Sequence, residues 1–186
     1  MKVAILGAAG RMGRMLTSLA EADRDLELVA KVDVVEGYDR TWPAGTEAVV
    51  DFSFHTAVAG NVEKAAAEGV AYVIGTTGLT AEEQARVDAC TAKIPLVQAA
   101  NYSLGVNLLL ALVRQAAAVL GPQYDVEVVE MHHRHKKDAP SGTALMLANA
   151  AAEGRGVKLD DVACYGRQGQ TGERPKGEIA LHALRG

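Results

Sequence analysis

Through the first hundred residues, short apolar runs rich in β-branched side chains alternate with stretches of helical period. The runs are "KVAIL" (2–6), "LELVAKVD" (26–33), "EAVVDFS" (47–53), "VAYVIG" (70–75) and "IPLVQA" (94–99). Between them lie "RMLTSLAEA" (14–22) and helical patterns over about 56–68 and 80–92. A strand that is apolar along its whole length must be covered on both faces, so this alternation implies a parallel sheet between helices. One link departs from the pattern. Residues 34–46, with "EGYDRTWPAG", are too turn-rich for a full helix and barely long enough for a crossover.

After residue 103 the rhythm changes. "GVNLLLALVRQAAAVLG" (105–121) reads as a long helix stopped by Gly121 and Pro122. "YDVEVVEMHH" (124–133) reads as a strand, a helix starts near Ser141, and "DVACYG" and "GEIALHALRG" read as further strands. The expected fold is α/β: a Rossmann-like parallel-sheet domain over 1–103, followed by a smaller α+β domain over 104–186.

Composition narrows the function classes. Aromatic residues are only 4% of the chain, so the core is built from Ala, Val, Leu and Ile. A net charge of -4 argues against a general nucleic-acid binder, which needs a basic face for phosphates. Cys90 and Cys164 stand in no metal or redox spacing and read as reduced thiols. "MKVAILG" reads as a strand and not a signal peptide, and no stretch is expected to approach a membrane span of ~20 apolar residues. The expectation is a soluble, cytoplasmic protein with no membrane or nucleic-acid partner.

"GAAGRMG" (7–13) lies between a buried strand and a helix. There Gly7 permits a tight turn, Gly10 a close backbone approach, and Gly13 close packing of helix on strand. The helix N-terminus then offers N–H groups to a pyrophosphate. Asp33 ends the second strand, where an acid accepts a hydrogen bond from an adenosine ribose. A carboxylate there repels a 2'-phosphate and Val34 adds no positive charge, which favours NADH over NADPH, although Lys31 and Arg11 remain within reach of a phosphate. Two further loops, "GTTG" (75–78) and "AANYS" (99–103), follow strands at the end where ligands of such sheets bind.

"EMHHRHKKDAPSGTA" (130–144) gathers three of the five histidines. A metal site is disfavoured, because His132 and His133 point to opposite faces of a strand and Arg134, Lys136 and Lys137 repel a cation. A solvated basic loop is the plain alternative. An anion site accounts for more of the residues: Ser141 or Thr143 can cap a helix whose start Gly142 leaves open to a carboxylate. Beside it a histidine can exchange protons near neutral pH, and a lysine can hold negative charge or donate a proton. With a dinucleotide fold this suggests hydride transfer coupled to protonation.

Taken in order, "GAAGRMG", "VIGTTG", "AANYSLGVN", "EMHHRHKKDAPSGTA" and "YGRQGQTGER" closely resemble the 4-hydroxy-tetrahydrodipicolinate reductase (dihydrodipicolinate reductase) family across essentially the whole chain. The resemblance implies that Gly7, Ala8, Ala9, Gly10, Arg11 and Met12 hold the pyrophosphate of NADH or NADPH, with Asp33 on the ribose. Gly75, Thr76 and Thr77, with Ala99, Ala100, Asn101 and Tyr102, would line the nicotinamide side. His132 would be the acid/base and Lys136 the proton donor, while His133 contacts a dicarboxylate substrate that Gly142 and Thr143 grip. It further implies a homotetramer built through the second domain. Family members continue well beyond "ALHALRG", so that domain is expected to be incomplete here.

Two rivals remain open at this level. Another carboxylate-handling NAD(P)H reductase would turn over a different keto or imino acid. A non-catalytic dinucleotide sensor would bind cofactor but give His132 and Lys136 no task.

Overall fold

The computed structural model describes residues 1–186, which divide into two compact units, Met1–Ala100 and Asn101–Gly186. In the first unit, β1 (Lys2–Leu6), β2 (Glu27–Val32), β3 (Ala48–Asp51), β4 (Ala71–Ile74) and β5 (Leu96–Gln98) form a parallel sheet in the order β2-β1-β3-β4-β5. The reason β1 is apolar throughout is visible in its packing. Val3 and Ile5 join Ala8 and Ala20, the latter from helix α1 (Arg11–Ala22), on one face. Ala4 and Leu6 join Val58, Val62 and Tyr72 on the other, beneath α2 (His55–Glu68). Each large apolar side chain so buried stabilises the fold by about 1.5–3 kcal/mol.

Helix ends follow local chemistry. Gly69 closes α2 in the left-handed region at φ 71°. Thr80 and Glu83 form a capping box at the start of α3 (Ala81–Asp88). That helix is shorter than the 80–92 pattern because Cys90, Thr91 and Lys93 donate three residues back, which tightens the chain into turns.

The unusual 34–46 link is a crossover without a helix. In its place the Trp42 indole is buried, donating from Nε1 to Glu68 at 2.8 Å, with the Lys64 ammonium 3.5 Å from the ring centroid. A single side chain thus seats the passage against α2.

In the second unit, β6 (Val126–His132), β7 (Ala163–Tyr165) and β8 (Ile179–Arg185) form a sheet in the order β6-β8-β7, parallel throughout. The helices α4 (Leu104–Leu120), α5 (Gly142–Gly154) and the short α6 (Leu159–Val162) complete it. An alanine-rich side of α5 (Ala144, Ala148, Ala151) packs with Ile179 and Leu181. The close approach of α4 and α5 requires Gly154, since a Cβ there would lie 2.2 Å from the Arg114 carbonyl oxygen. With its 3₁₀ extension α4 runs from Leu104 to Gln123 at a mean hydropathy of 1.7, long and apolar enough by length and composition to cross a membrane. The expectation that no stretch approaches a span is corrected accordingly. Arg114, which interrupts the apolar sequence, pairs with Glu153 of α5 at 2.7 Å.

Candidate functional site

In the first unit the glycine loop follows β1. Gly7 has φ 74°, and a Cβ on it would lie 2.3 Å from the Phe52 carbonyl oxygen. At Gly13 the added atom would lie 2.0 Å from the Gly7 oxygen, so α1 starts against bare backbone. The loop closes on itself when Gly10 N–H donates to Gly7 O at 3.0 Å. A further tie is Asp33, whose Oδ2 accepts from Ala9 N–H at 2.9 Å while Oδ1 accepts from Val35 N–H at 3.2 Å. Asp33 therefore orders the loop as well as facing the cleft.

That cleft, of about 570 Å³, is lined by Gly7, Ala9, Gly10, Asp33, Arg40 and Phe52 among others. Bare backbone at its rim beside an acid at the end of β2 fits a dinucleotide. Arg40 went unnoticed in the sequence, and local folding explains its arrival. The chain turns at Gly37 (φ 89°) and returns beside β2, with Asp39 N–H donating to Lys31 O at 2.9 Å and Asp33 N–H to Asp39 O at 3.0 Å. This return delivers the Arg40 guanidinium to Asp33 O at 3.1 Å.

Gly75, Thr76 and Thr77 line a second hollow of about 320 Å³ with Phe52, Phe54 and His55. The Phe52 ring lies so close over Gly75 that a Cβ there would meet it at 2.1 Å. Beneath the hollow, the fully buried Asp51 carboxylate accepts from Tyr72 Oη (2.6 Å), Ser53 Oγ (2.6 Å) and Thr76 Oγ1 (3.1 Å). Sequence reading missed Asp51. The available signal was an acid inside the apolar run "EAVVDFS", a placement that demands partners. Ala99 follows β5, its N–H donating to Ile74 O at 3.2 Å. Asn101 begins the second unit, where its side chain accepts from Ser103 N–H at 2.8 Å and Tyr102 is 41% exposed. Arg11 and Met12 open α1, both exposed.

The second unit gathers its chemistry where β6 ends. Period-two geometry puts Glu130 and His132 on one face of the strand, and His132 Nδ1 meets Glu130 Oε2. Glu130 also accepts from Ser141 N–H at 3.1 Å and from Arg185 Nη1 at 3.1 Å. Burial pushes the Glu130 carboxyl up, but the hydrogen bonds from His132, Arg185 and Ser141 outweigh it and hold it below the usual carboxylate range. Lys136 Nζ meets both oxygens of Asp138 at 2.9 and 3.0 Å, which keeps that carboxyl ionised below its ordinary value. His133 is exposed, its Nδ1 accepting from His135 N–H at 3.1 Å.

The Ala139–Pro140 peptide is cis, and Ser141 caps α5 by accepting from Ala144 N–H at 3.2 Å. Gly142 and Thr143 are the first helical residues, and nothing lies within 4 Å of a Cβ built on Gly142. The helix start thus combines unpaired N–H groups with open space, the arrangement that accepts a carboxylate. No cluster of three or more His, Cys, Asp or Glu side chains is placed to hold a metal ion. Glu130 and Arg185 are the participants that sequence reading overlooked. An acid two residues before His132 in a strand was the readable sign for Glu130, while Arg185 arrives only through β6–β8 register, opposite His132.

Comparison with known proteins gives a family match to each unit. A family profile described as "Dihydrodipicolinate reductase, N-terminus" matches residues 1–102, and one described as "Dihydrodipicolinate reductase, C-terminus" matches residues 105–186. A 4-hydroxy-tetrahydrodipicolinate reductase of Caulobacter vibrioides is 49% identical, the alignment covering 100% of this chain and 75% of the relative. Its counterpart in Zymomonas mobilis is 45% identical over the same shares. Among solved structures, a dipicolinate-bound dihydrodipicolinate reductase from Paenisporosarcina sp. TG-14 superposes with a TM-score of 0.74 at 28% identity, covering 100% of this chain and 78% of that one. A glycine loop on the first sheet, a histidine–lysine cluster at an open helix start on the second, and matched profiles across both lead to one assignment: the chain belongs to the dihydrodipicolinate reductase family.

Proposed function

We propose that this chain reduces 4-hydroxy-tetrahydrodipicolinate to tetrahydrodipicolinate, an oxidoreductase step of lysine and diaminopimelate biosynthesis, with a pyridine nucleotide as reductant. Overall, the substrate loses one water and gains one hydride and one proton. The observation that carries the reading is the end of β6, where His132, backed by Glu130, stands on the strand that Ser141 N–H ties to the start of α5.

Bound nucleotide supplies the hydride. The chain's own groups do the rest. The N–H groups of Gly142 and Thr143 hold a substrate carboxylate, with His133 as a further contact. His132 exchanges protons as acid/base, and Lys136, kept in place by Asp138, donates the proton that answers hydride addition. Fixed positive charge at this position also offsets the negative charge that the addition builds. Residues Gly7–Met12 hold the pyrophosphate, Asp33 the ribose, and Gly75–Thr77 with Ala99–Tyr102 the nicotinamide end. The first domain is accordingly the dinucleotide-binding one, and the second binds substrate and makes oligomer contacts.

NADH is the preferred cofactor, because the Asp33 carboxylate opposes a 2'-phosphate and Val34 brings no compensating charge. Arg40, beside Asp33, is the group that lets NADPH serve more weakly. A homotetramer is supported by the outer face of the second sheet, where Val129, Met131 and Leu184 are exposed beside one another. A cytoplasmic location suits the substrate class.

The test is loss of NADH absorbance with freshly generated 4-hydroxy-tetrahydrodipicolinate, with dipicolinate as competitive inhibitor. Turnover absent in folded protein, while His132→Ala binds NADH and dipicolinate as the parent does, would remove the reading.

A further inference from the structure

On β6 the acid and the histidine are two residues apart, so both side chains stand on the same face. The register of β6 with β8 sets Ala183 opposite Glu130 and Arg185 opposite His132. Ala183 is too small to block the space beside Glu130, and Arg185 reaches back across it to the carboxylate. His132 itself is held by backbone on the same β8 side, where Gly186 N–H donates to His132 O at 3.0 Å. The Glu130 side chain, 9% exposed, thus collects an imidazole, a guanidinium and the backbone N–H of the residue that caps α5.

We propose that Glu130 is a positioning residue that fixes the tautomer of His132 and anchors the start of α5 with the same carboxylate, which Arg185 also holds from β8. The inference rests on the reductase reading and adds to it a reason why proton exchange and carboxylate binding occur in register. An ionised carboxylate can only accept, so the hydrogen of a neutral His132 resides on Nδ1. Nε2 is then the atom left to take or give a proton. A glutamine at position 130 could donate to Nδ1 instead, which would admit the opposite tautomer. Its amide would still leave an oxygen for Ser141, so the helix start survives and the two tasks of the carboxylate separate.

The experiment combines kinetics with nitrogen NMR of histidine-labelled protein, the His132 signals being assigned by their loss in His132→Ala. In the parent the neutral ring is expected with hydrogen on Nδ1. Glu130→Gln is expected to lower kcat about tenfold or more through tautomer mixing, with KM for NADH changed less than about twofold. Introduced into His132→Ala, the same substitution is expected to cost nothing further. An Nε2-protonated ring in the parent overturns the proposal, and this measurement needs no variant to fold. An equal loss of kcat with or without His132 also overturns it, because Glu130 would then act by another route. Absence of turnover in a parent whose ring carries its hydrogen on Nδ1 counts against the reductase reading alone.

Discussion

The Tyr72 hydroxyl donates to Oδ2 of Asp51 at 2.6 Å, both groups lying in the core of the first unit. This pair joins β4 to the end of β3, and through Ser53 and Thr76 it holds the two loops that follow those strands. Burial, reinforced by the neighbouring Asp51 charge, pushes the Tyr72 hydroxyl far above its ordinary value. A phenol that stays neutral when folded but ionises around pH 10 when unfolded contributes stability that is full below pH 10 and lost above it. Stability measured by urea titration is therefore expected to fall from about pH 10 upward in the parent. Tyr72→Phe should lose about 1–3 kcal/mol at neutral pH and show a weaker alkaline decline.

The outer face of the second sheet predicts behaviour at the acidic end. Glu127 accepts from Arg167, Arg174 and His182, and Arg167 first among them brings its carboxyl from 4.5 down to about 2. A depressed carboxyl contributes stability above its unfolded value, and that contribution disappears as the pH falls from 4.5 toward 2. Thermal melts across that window should show the parent losing more of its Tm than Glu127→Gln, which begins lower and changes less.

For the reacting end of β6, His132→Ala and Lys136→Ala are each expected to reduce kcat by roughly 10²–10⁴-fold. Dipicolinate affinity should hold in Lys136→Ala, since the proposed grip on the carboxylate is backbone at Gly142 and Thr143. Titration calorimetry beside steady-state rates separates the two effects.

Close packing at the glycine loop predicts a cost in both stability and binding. With a Cβ only 2.0 Å from the Gly7 oxygen, Gly13→Ala must push α1 away from β1. The expected loss is about 1–3 kcal/mol or more, accompanied by weaker NADH binding in fluorescence titrations.

Cofactor choice can be read from one side chain. Arg40→Ala is expected to raise KM for NADPH about tenfold while leaving KM for NADH within about twofold, the loss of the one phosphate contact proposed for it. Equal changes for both cofactors would assign Arg40 to the loop's structure and not to discrimination.

The parallel sheet of the first unit was legible in the sequence because β1 and β3 bury both faces, so their apolar runs carry the signal directly. The glycine loop was legible for the same local reason: Gly7 and Gly13 stand where side chains have no room. Arg40 and Arg185 were not legible. Each reaches its partner through tertiary geometry, Arg40 by a return beside β2 and Arg185 by the pairing of β8 with β6. Asp51 was readable in part, since an acid within a buried strand announces a polar network but not its members. The span-like character of Leu104–Gln123 was underestimated because Asn107, Arg114 and Gln115 break the apolar letters without lowering the average enough.

The indole of Trp42 has one more implication. Because Trp42 pins the passage between β2 and β3 to α2, the ties of residues 34–41 to the sheet reduce to the short return beside β2 and to Tyr38, packed against the cluster of Val3 and Ile5. Arg40, proposed above to serve the phosphate of NADPH, lies on that stretch. On that proposal, preference between the two nicotinamide nucleotides can drift by substitution at the exposed positions of a short stretch, while the strands that carry the rest of the domain stay as they are.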